Sequence, residues 1–364
     1  MLWFCLPFLF LQLAWLCLTS WASLALPSLV VVFLIGETVS GNGRGRIAVA
    51  GRRLYRWLPR LFVPLQLGAV VAALLLVSDP MLSTWRFVTL VLTIGAISGI
   101  FGMLSAHELI HSRTAFDRTL GLAMLAGVSY MHFRISHLRG HHRLAATSED
   151  PATARRGESV YRFALRSAIG QYRQAWQFEY HRAKTRRRPL FANRMLAYLA
   201  ATAILYMGAG SVAGLRGLSF LALQSLLAVF ILEAFNYVAH YGLERPRRPD
   251  GRYEALAAKH SWNTARRFSN WSLFNAGAHS HHHAQPSRPY EMLLPCHGAP
   301  ELPMGYAGCI LLSLVPPLWR GVMDKRIPAS IGVDFVPMPC ASAGHLARFR
   351  RPDSPVLKIS SPPA

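Results

Sequence analysis

Apolar and polar residues in this chain come in blocks. Leu2 to Ile35 holds no charged side chain, and nearly charge-free runs recur near 61–78, 87–106, 195–215 and 217–240. A bilayer core of about 30 Å is crossed by roughly 20 apolar residues in helical form, so these runs predict membrane spans. The N-terminal block lacks a basic leader region and is too long for one signal sequence. It predicts a tight transmembrane hairpin over 1–40, turning near Thr19-Ser20 or Pro27. The chain therefore reads as an all-α integral membrane protein of about six transmembrane helices. Leu120 to Met131 and Gly305 to Trp319 are apolar but too short to cross; the second is interrupted by Pro316-Pro317. They are expected at the interface or against the helical bundle. From about Ala341 onward Ser, Pro and Arg dominate, which predicts a disordered tail over 341–364 and leaves 41–340 as the main domain.

The basic residues give the spans a direction. Gly41 to Arg60 contains Arg44, Arg46, Arg52, Arg53, Arg56 and Arg60 with no acid, and 107–194 is also rich in basic residues, with Lys184, Arg186, Arg187 and Arg188 in one run. The connector between the third and fourth spans carries only Asp79 and Arg86. Basic loops stay in the cytoplasm. The link Leu215-Arg216-Gly217 is so short that the last two spans must be antiparallel, which returns residue 240 to the cytoplasmic side. A multi-pass protein of the cell inner (plasma) membrane is implied. The composition agrees, with 52% apolar and 15% charged residues, well below the ~25% charged residues of soluble domains. The net charge of +22 follows from this loop bias and from attraction to anionic membrane lipid; binding of nucleic acid is not implied. The five cysteines contain no CxxC pair, so neither a cysteine metal site nor a fused iron–sulfur module is indicated.

Ten of the fifteen histidines fall in four places: His107-Glu-Leu-Ile-His111, His137-Leu-Arg-Gly-His141-His142, the single His240, and His279-Ser-His-His-His283. All four lie on the expected cytoplasmic side, although the topology was read from the arginines. Residues three and four apart share a helical face. His107 and His111 can therefore ligate one ion, His137 and His141 have the same spacing, and His279, His282 and His283 stand at i, i+3 and i+4. His142 lies about 100° further round than His141, facing a second metal or completing the first from another side. His281 points away, and His132, His181, His260, His297 and His345 are isolated; all six take a structural or surface role. Nine ligand candidates remain: His107, His111, His137, His141, His142, His240, His279, His282 and His283. Nine are too many for one ion, so two metals are implied, and imidazole alone leaves Zn, Fe, Cu and Ni open. HELIH also fits the HExxH zinc-protease pattern with Glu108 as general base. That reading uses one further ligand and leaves six histidines idle.

The boxes HELIH, HLRGHH and HSHHH resemble the HxxxH, HxxxHH and HxxHH boxes of the integral-membrane di-iron desaturase and hydroxylase superfamily. The flanks, GHHRLAATSEDPATARRGES at 140–159, NYVAHYGL at 236–243 and HSWN at 260–263, are similar to the membrane alkane 1-monooxygenases and their xylene-monooxygenase relatives. The similarity runs from about residue 60 to Lys325. It implies a fatty acid desaturase-like domain, two non-haem iron ions held by the nine histidines, O2 as co-substrate, and electrons from rubredoxin or a ferredoxin through a reductase. The implied reaction is hydroxylation of a terminal or benzylic C–H bond of a lipophilic, alkane-like substrate. A desaturase of the same superfamily is the nearest alternative; the zinc protease and a metal-binding or transport protein stand further off. The chain departs from the family pattern at Ser136 and Ala239, where the pattern has Glu, and at Gly277-Ala278, where it has Gln-Arg. These positions flank ligands and leave the substrate open.

Overall fold

The computed structural model describes Trp15 and residues 22–43, 52–296 and 298–328. Their regular structure is helical, with only isolated β-bridges besides. In chain order the main helices are α1 (Ala22–Ser40), α2 (Arg52–Val77), α3 (Thr84–Ile110), α4 (Ala115–Gly127), α5 (beginning at Phe133–Ser136), α6 (Val160–Thr185), α7 (Arg194–His240), α8 (Arg267–Ser272), α9 (His279–Ala284), α10 (Tyr306–Ser313) and α11 (Pro316–Met323). The first helix of the expected N-terminal hairpin (apart from Trp15), the loop at 44–51 and the tail at 341–364 lie outside the described residues.

Three described helices are long and apolar enough to cross a bilayer: Tyr55–Val77, Thr84–Ile110 and Arg194–His240. The last is two passes joined by a break, because Ala213 and Gly214 leave helical geometry and Gly214 takes φ +54°, a conformation open to glycine at little cost. The chain folds back there. Met195 packs with Ile135 and Ala175 at the histidine end. The Arg216 guanidinium donates to the carbonyls of Asp79 (2.9 Å) and Pro80 at the opposite end, and His240 returns to the start. Outward residues such as Leu65, Val71, Leu75, Ile204 and Leu226 are exposed, the surface that a bilayer would cover.

Helix α3 is the axis of the bundle, with 78% of its apolar window buried. Its middle is a π-helical turn over Ser98–Gly102. Gly99 there lies so close to α7 that a Cβ would sit 2.9 Å from Ala228 Cα. The Gln66 side chain of α2 donates to Ser98 Oγ at 2.8 Å, which pairs its amide nitrogen with a buried hydroxyl inside the apolar layer. Helices α10 and α11, eight residues each, are too short to cross. Helix α10 packs on α7 and α1. Helix α4 lies across the histidine end, tied to α2 by Arg60 Nε, 2.7 Å from Asp117 Oδ1.

Candidate metal centre

The nine histidines singled out by spacing converge in two adjacent cups. One holds His107, His111, His137, His142 and His282; the other holds His141, His240, His279 and His283; within each, the ligand atoms lie within 4.8 Å of one another. Helix α3 delivers His107 and, at its C-cap, His111; the end of α7 delivers His240, and α9 delivers His279, His282 and His283. The cups share a wall, with the His142 and His283 rings 4.8 Å apart.

The partition differs from the helical expectation. His137 and His141 do not share a cup: His137 goes with His142, and His141 joins the other group. The cause is a π-helical turn over His137–His141, in which the His142 N–H reaches back to the carbonyl of His137. Such a turn brings residues five apart onto one face. Gly140 is part of its construction, since a Cβ there would run into Gln174 Oε1 of α6. In the third box, His279 and His283 stay together at i and i+4 while His282 crosses to the five-histidine cup.

The nitrogens are spaced for cations. His111, His137 and His142 Nε2 form a triangle with sides of 3.0, 3.0 and 3.1 Å, and His282 Nε2 is 3.2 Å from that of His142. In the second cup His279 Nε2 stands 3.1 Å from those of His240 and His283. Each Nε2 of a neutral imidazole carries either a proton or a lone pair. Of three nitrogens, two must therefore present the same kind of group to each other, so hydrogen bonding cannot satisfy the triangle. A cation accepting all the lone pairs can. With a metal–imidazole bond of about 2.1 Å, ligand nitrogens at right angles stand about 3.0 Å apart and tetrahedral ones about 3.4 Å. The observed spacing suits the right angle, hence a higher coordination number than a tetrahedral zinc site. Among the nine histidines, burial pushes those outside the spans, His111, His137, His142, His279, His282 and His283, well below the ordinary histidine range, and neighbouring histidines add to this. They are neutral at physiological pH, as ligation requires.

Behind the nitrogens stand groups that fix ring orientation. His141 Nδ1 is 2.8 Å from Asp150 Oδ2, both side chains buried; Asp150 also accepts from the Thr153 hydroxyl (2.8 Å) and the Ala152 N–H (3.1 Å). This carboxylate–histidine pairing selects the tautomer that leaves Nε2 free for metal. His240 Nδ1 faces the His260 carbonyl at 3.3 Å. His281 lies outside both cups and accepts the Leu294 N–H at 2.7 Å. His260 likewise accepts the Ala257 N–H, and His132 packs between Tyr130 and Tyr172. Asp150 was not singled out as a ligand partner by the sequence, although its flank was; nothing in a spacing of nine residues from His141 marks it.

Gly277 and Ser136, two of the departures from the family pattern, have local explanations. Gly277 is packed so tightly that a Cβ would meet Asn270 Oδ1 and Thr264, which excludes a longer side chain there. Ala239 is fully buried, its carbonyl taking the Trp262 N–H at 2.8 Å. Ser136 donates toward Gln171 Oε1, and Gln171 in turn donates to the buried Glu233 at 2.8 Å. Glutamate at 136 would bring a second carboxylate into that network.

A cavity of about 30 Å³ lies against His107, His137, His279 and His282. Beside it a larger, almost wholly apolar cavity of about 500 Å³ runs between α1, α3, α7 and α10. The two share Leu104, Leu232, Phe235 and Leu273 as a common wall. The outer lining includes Leu34, Leu92 and Leu311, which are 48%, 39% and 41% exposed on the flank of the bundle.

Comparison with known proteins agrees with this site. The "Fatty acid desaturase" family model matches residues 83–312. An alkane 1-monooxygenase of Pseudomonas putida is 39% identical over 277 residues, covering 76% of this chain and 69% of the relative. One from Ectopseudomonas oleovorans is 38% identical over 285 residues, 78% of this chain and 71% of the relative. A xylene/toluene monooxygenase hydroxylase component of P. putida is 29% identical over 244 residues, 65% of this chain and 63% of the relative.

Proposed function

Because this chain belongs to the fatty acid desaturase family, among its alkane 1-monooxygenases, we propose that it is a membrane di-iron monooxygenase that hydroxylates a terminal or benzylic C–H bond of a lipophilic substrate. The observation that carries the reading is the convergence of nine histidines into cups of five and four, walled from an apolar cavity by four apolar side chains. His107, His111, His137, His142 and His282 would hold one iron, and His141, His240, His279 and His283 the other. Bound there, the irons supply the redox chemistry with O2 that no side chain can direct at an unactivated C–H bond.

The protein does the rest. The 500 Å³ cavity takes an alkyl chain from the lipid through the gap at the apolar Leu34, Leu92 and Leu311, with Glu37 and Arg266 as the charged groups of its lining. Leu104, Leu232, Phe235 and Leu273 hold the chain end toward the histidines and keep bulk water out. Asp150 and the His260 carbonyl fix the rings of His141 and His240. The turnover, RH + O2 + 2e⁻ + 2H⁺ giving ROH + H2O, needs two electrons from outside, which rubredoxin or a ferredoxin with its reductase would deliver. The arginine-rich loops at the histidine end favour an inner-membrane protein with its metal centre facing the cytoplasm.

The test is turnover of alkanes, alkylbenzenes and fatty acyl substrates under ¹⁸O2 with a reductase chain supplied. The expected product is an alcohol carrying one ¹⁸O. An unlabelled product with a new double bond would make the enzyme a desaturase. Peptide cleavage lost in Glu108→Gln but kept in His282→Ala would make it a zinc protease.

A further inference from the structure

A row of aromatic rings leads from the five-histidine cup to the surface of α6. The His137 ring stacks on Phe133 at 4.7 Å between centroids, and Phe133 stacks on Tyr130 at 6.1 Å. Tyr130 meets His132 edge-on at 4.3 Å, His132 meets Tyr172 at 5.1 Å, and Tyr172 meets Trp176 at 6.4 Å. Tyr130 and Phe133 are buried at 4% and 1% exposure, while Tyr172 is 37% exposed. The phenol of Tyr130 donates to Glu233 Oε1 at 2.9 Å, a carboxylate with no exposure that Gln171 also binds. Beyond His137 itself, the hydroxylation reaction assigns no role to these groups. The row instead has what one-electron oxidation of a tyrosine needs: a base within hydrogen-bond reach of the phenol, and a second oxidisable ring at the surface.

We propose that this row carries oxidising equivalents away from the metal centre when O2 has reacted but no C–H bond is in place. This rests on the monooxygenase reading, whose chemistry supplies the oxidant. Tyr130 gives one electron toward His137 through Phe133 and its phenolic proton to Glu233, becoming a neutral tyrosyl radical. An electron from Tyr172 crosses His132 to refill it, the proton returns from Glu233, and the partly exposed Tyr172 phenol releases its own proton to water, regaining one on reduction. The oxidised Tyr172, or Trp176 beside it, is then reduced at the surface by a water-soluble one-electron donor such as a thiol or ascorbate. Two such transfers add to the two electrons of the normal donor, so O2 + 4e⁻ + 4H⁺ gives two waters. The alternative fate of those equivalents is oxidation of the histidines and neighbouring rings. Substrate competes because hydroxylation consumes the oxidant in place.

The test uses the full-length protein in detergent, with Tyr130→Phe and Tyr172→Phe as variants. Both should bind iron as the parent does and hydroxylate at the parent's initial rate under saturating substrate. Without substrate, with O2, reductant and ascorbate, both should lose activity severalfold sooner, with oxidised His137 and Phe133 found by peptide mass spectrometry. Equal survival and equal oxidation would overturn the proposal. A flash-quench experiment separates its failure from that of the monooxygenase reading. A soluble ruthenium photo-oxidant removes an electron from the surface rings without any O2 chemistry. A tyrosyl radical signal that Tyr130→Phe abolishes supports the row even if no substrate is hydroxylated; a signal unchanged in both variants refutes it.

Discussion

Replacing Asp150 by Asn should weaken the four-histidine cup selectively. The carboxylate faces His141 Nδ1 at 2.8 Å with both side chains buried, and accepts from Thr153 and from the Ala152 N–H as well. Asparagine keeps the size but not the charge, and its amide must present its oxygen to three donors at once. Loss of a buried partner behind a ligating histidine costs roughly 10- to 100-fold in metal affinity, or about 1.4 to 2.8 kcal/mol. Alanine would also leave the His141 Nδ1 proton without a partner, adding about 1–3 kcal/mol. The assay is iron retained per chain during titration with a chelator. One of two irons should leave at 10- to 100-fold lower chelator in Asp150→Asn, the five-histidine cup being untouched. If both irons leave together at the parent's concentration, Asp150 does not orient a ligand and the assignment of His141 to a separate cup fails.

His282→Ala should lose iron and activity, because His282 completes the five-histidine cup. His281→Ala should keep both and lose about 2–4 kcal/mol of stability, since a fully buried ring is removed and the Leu294 N–H loses its acceptor; equal metal loss in the two would refute the distinction. Gly140→Ala puts a Cβ into Gln174 at the π-helical turn, and should cost about 1–3 kcal/mol together with iron, seen as a lower Tm and lower metal content. Glu179 lies against Arg139, Arg182 and Arg194; burial alone would raise its carboxyl, and the hydrogen bonds from Arg194 and Arg182 pull it down to about 2. Its contribution is present above the ordinary carboxylate range and is lost as pH falls toward that value. Glu179→Gln should therefore lower Tm at pH 7 by an amount that shrinks below pH 4, and an equal loss at pH 7 and pH 3 would contradict the ion pairing.

That these nine histidines come together was legible in the sequence, because their box spacing and the arginine pattern of the loops predict one shared end of the bundle. Their partition was not legible. It depends on the five-residue turn at His137–His141, which arises where Gly140 meets Gln174 of α6. A contact between segments over thirty residues apart leaves no trace in local periodicity. The fold-back within α7 was readable from Leu215-Arg216-Gly217, with the break two residues earlier, where Gly214 supplies the positive φ. Asp150 could be named as part of a similar flank, but its pairing with His141 required coordinates. Nothing in the local sequence marks Phe133 and Tyr130, and only the succession of ring contacts sets them apart.

Metal analysis of the anaerobically purified full-length chain tests the central claim most directly. Cups of five and four histidines at right-angle spacing predict about two irons per chain, falling to about one when any histidine of either cup is replaced. Stoichiometric zinc without iron, or a single metal retained after loss of a whole cup, would contradict the account.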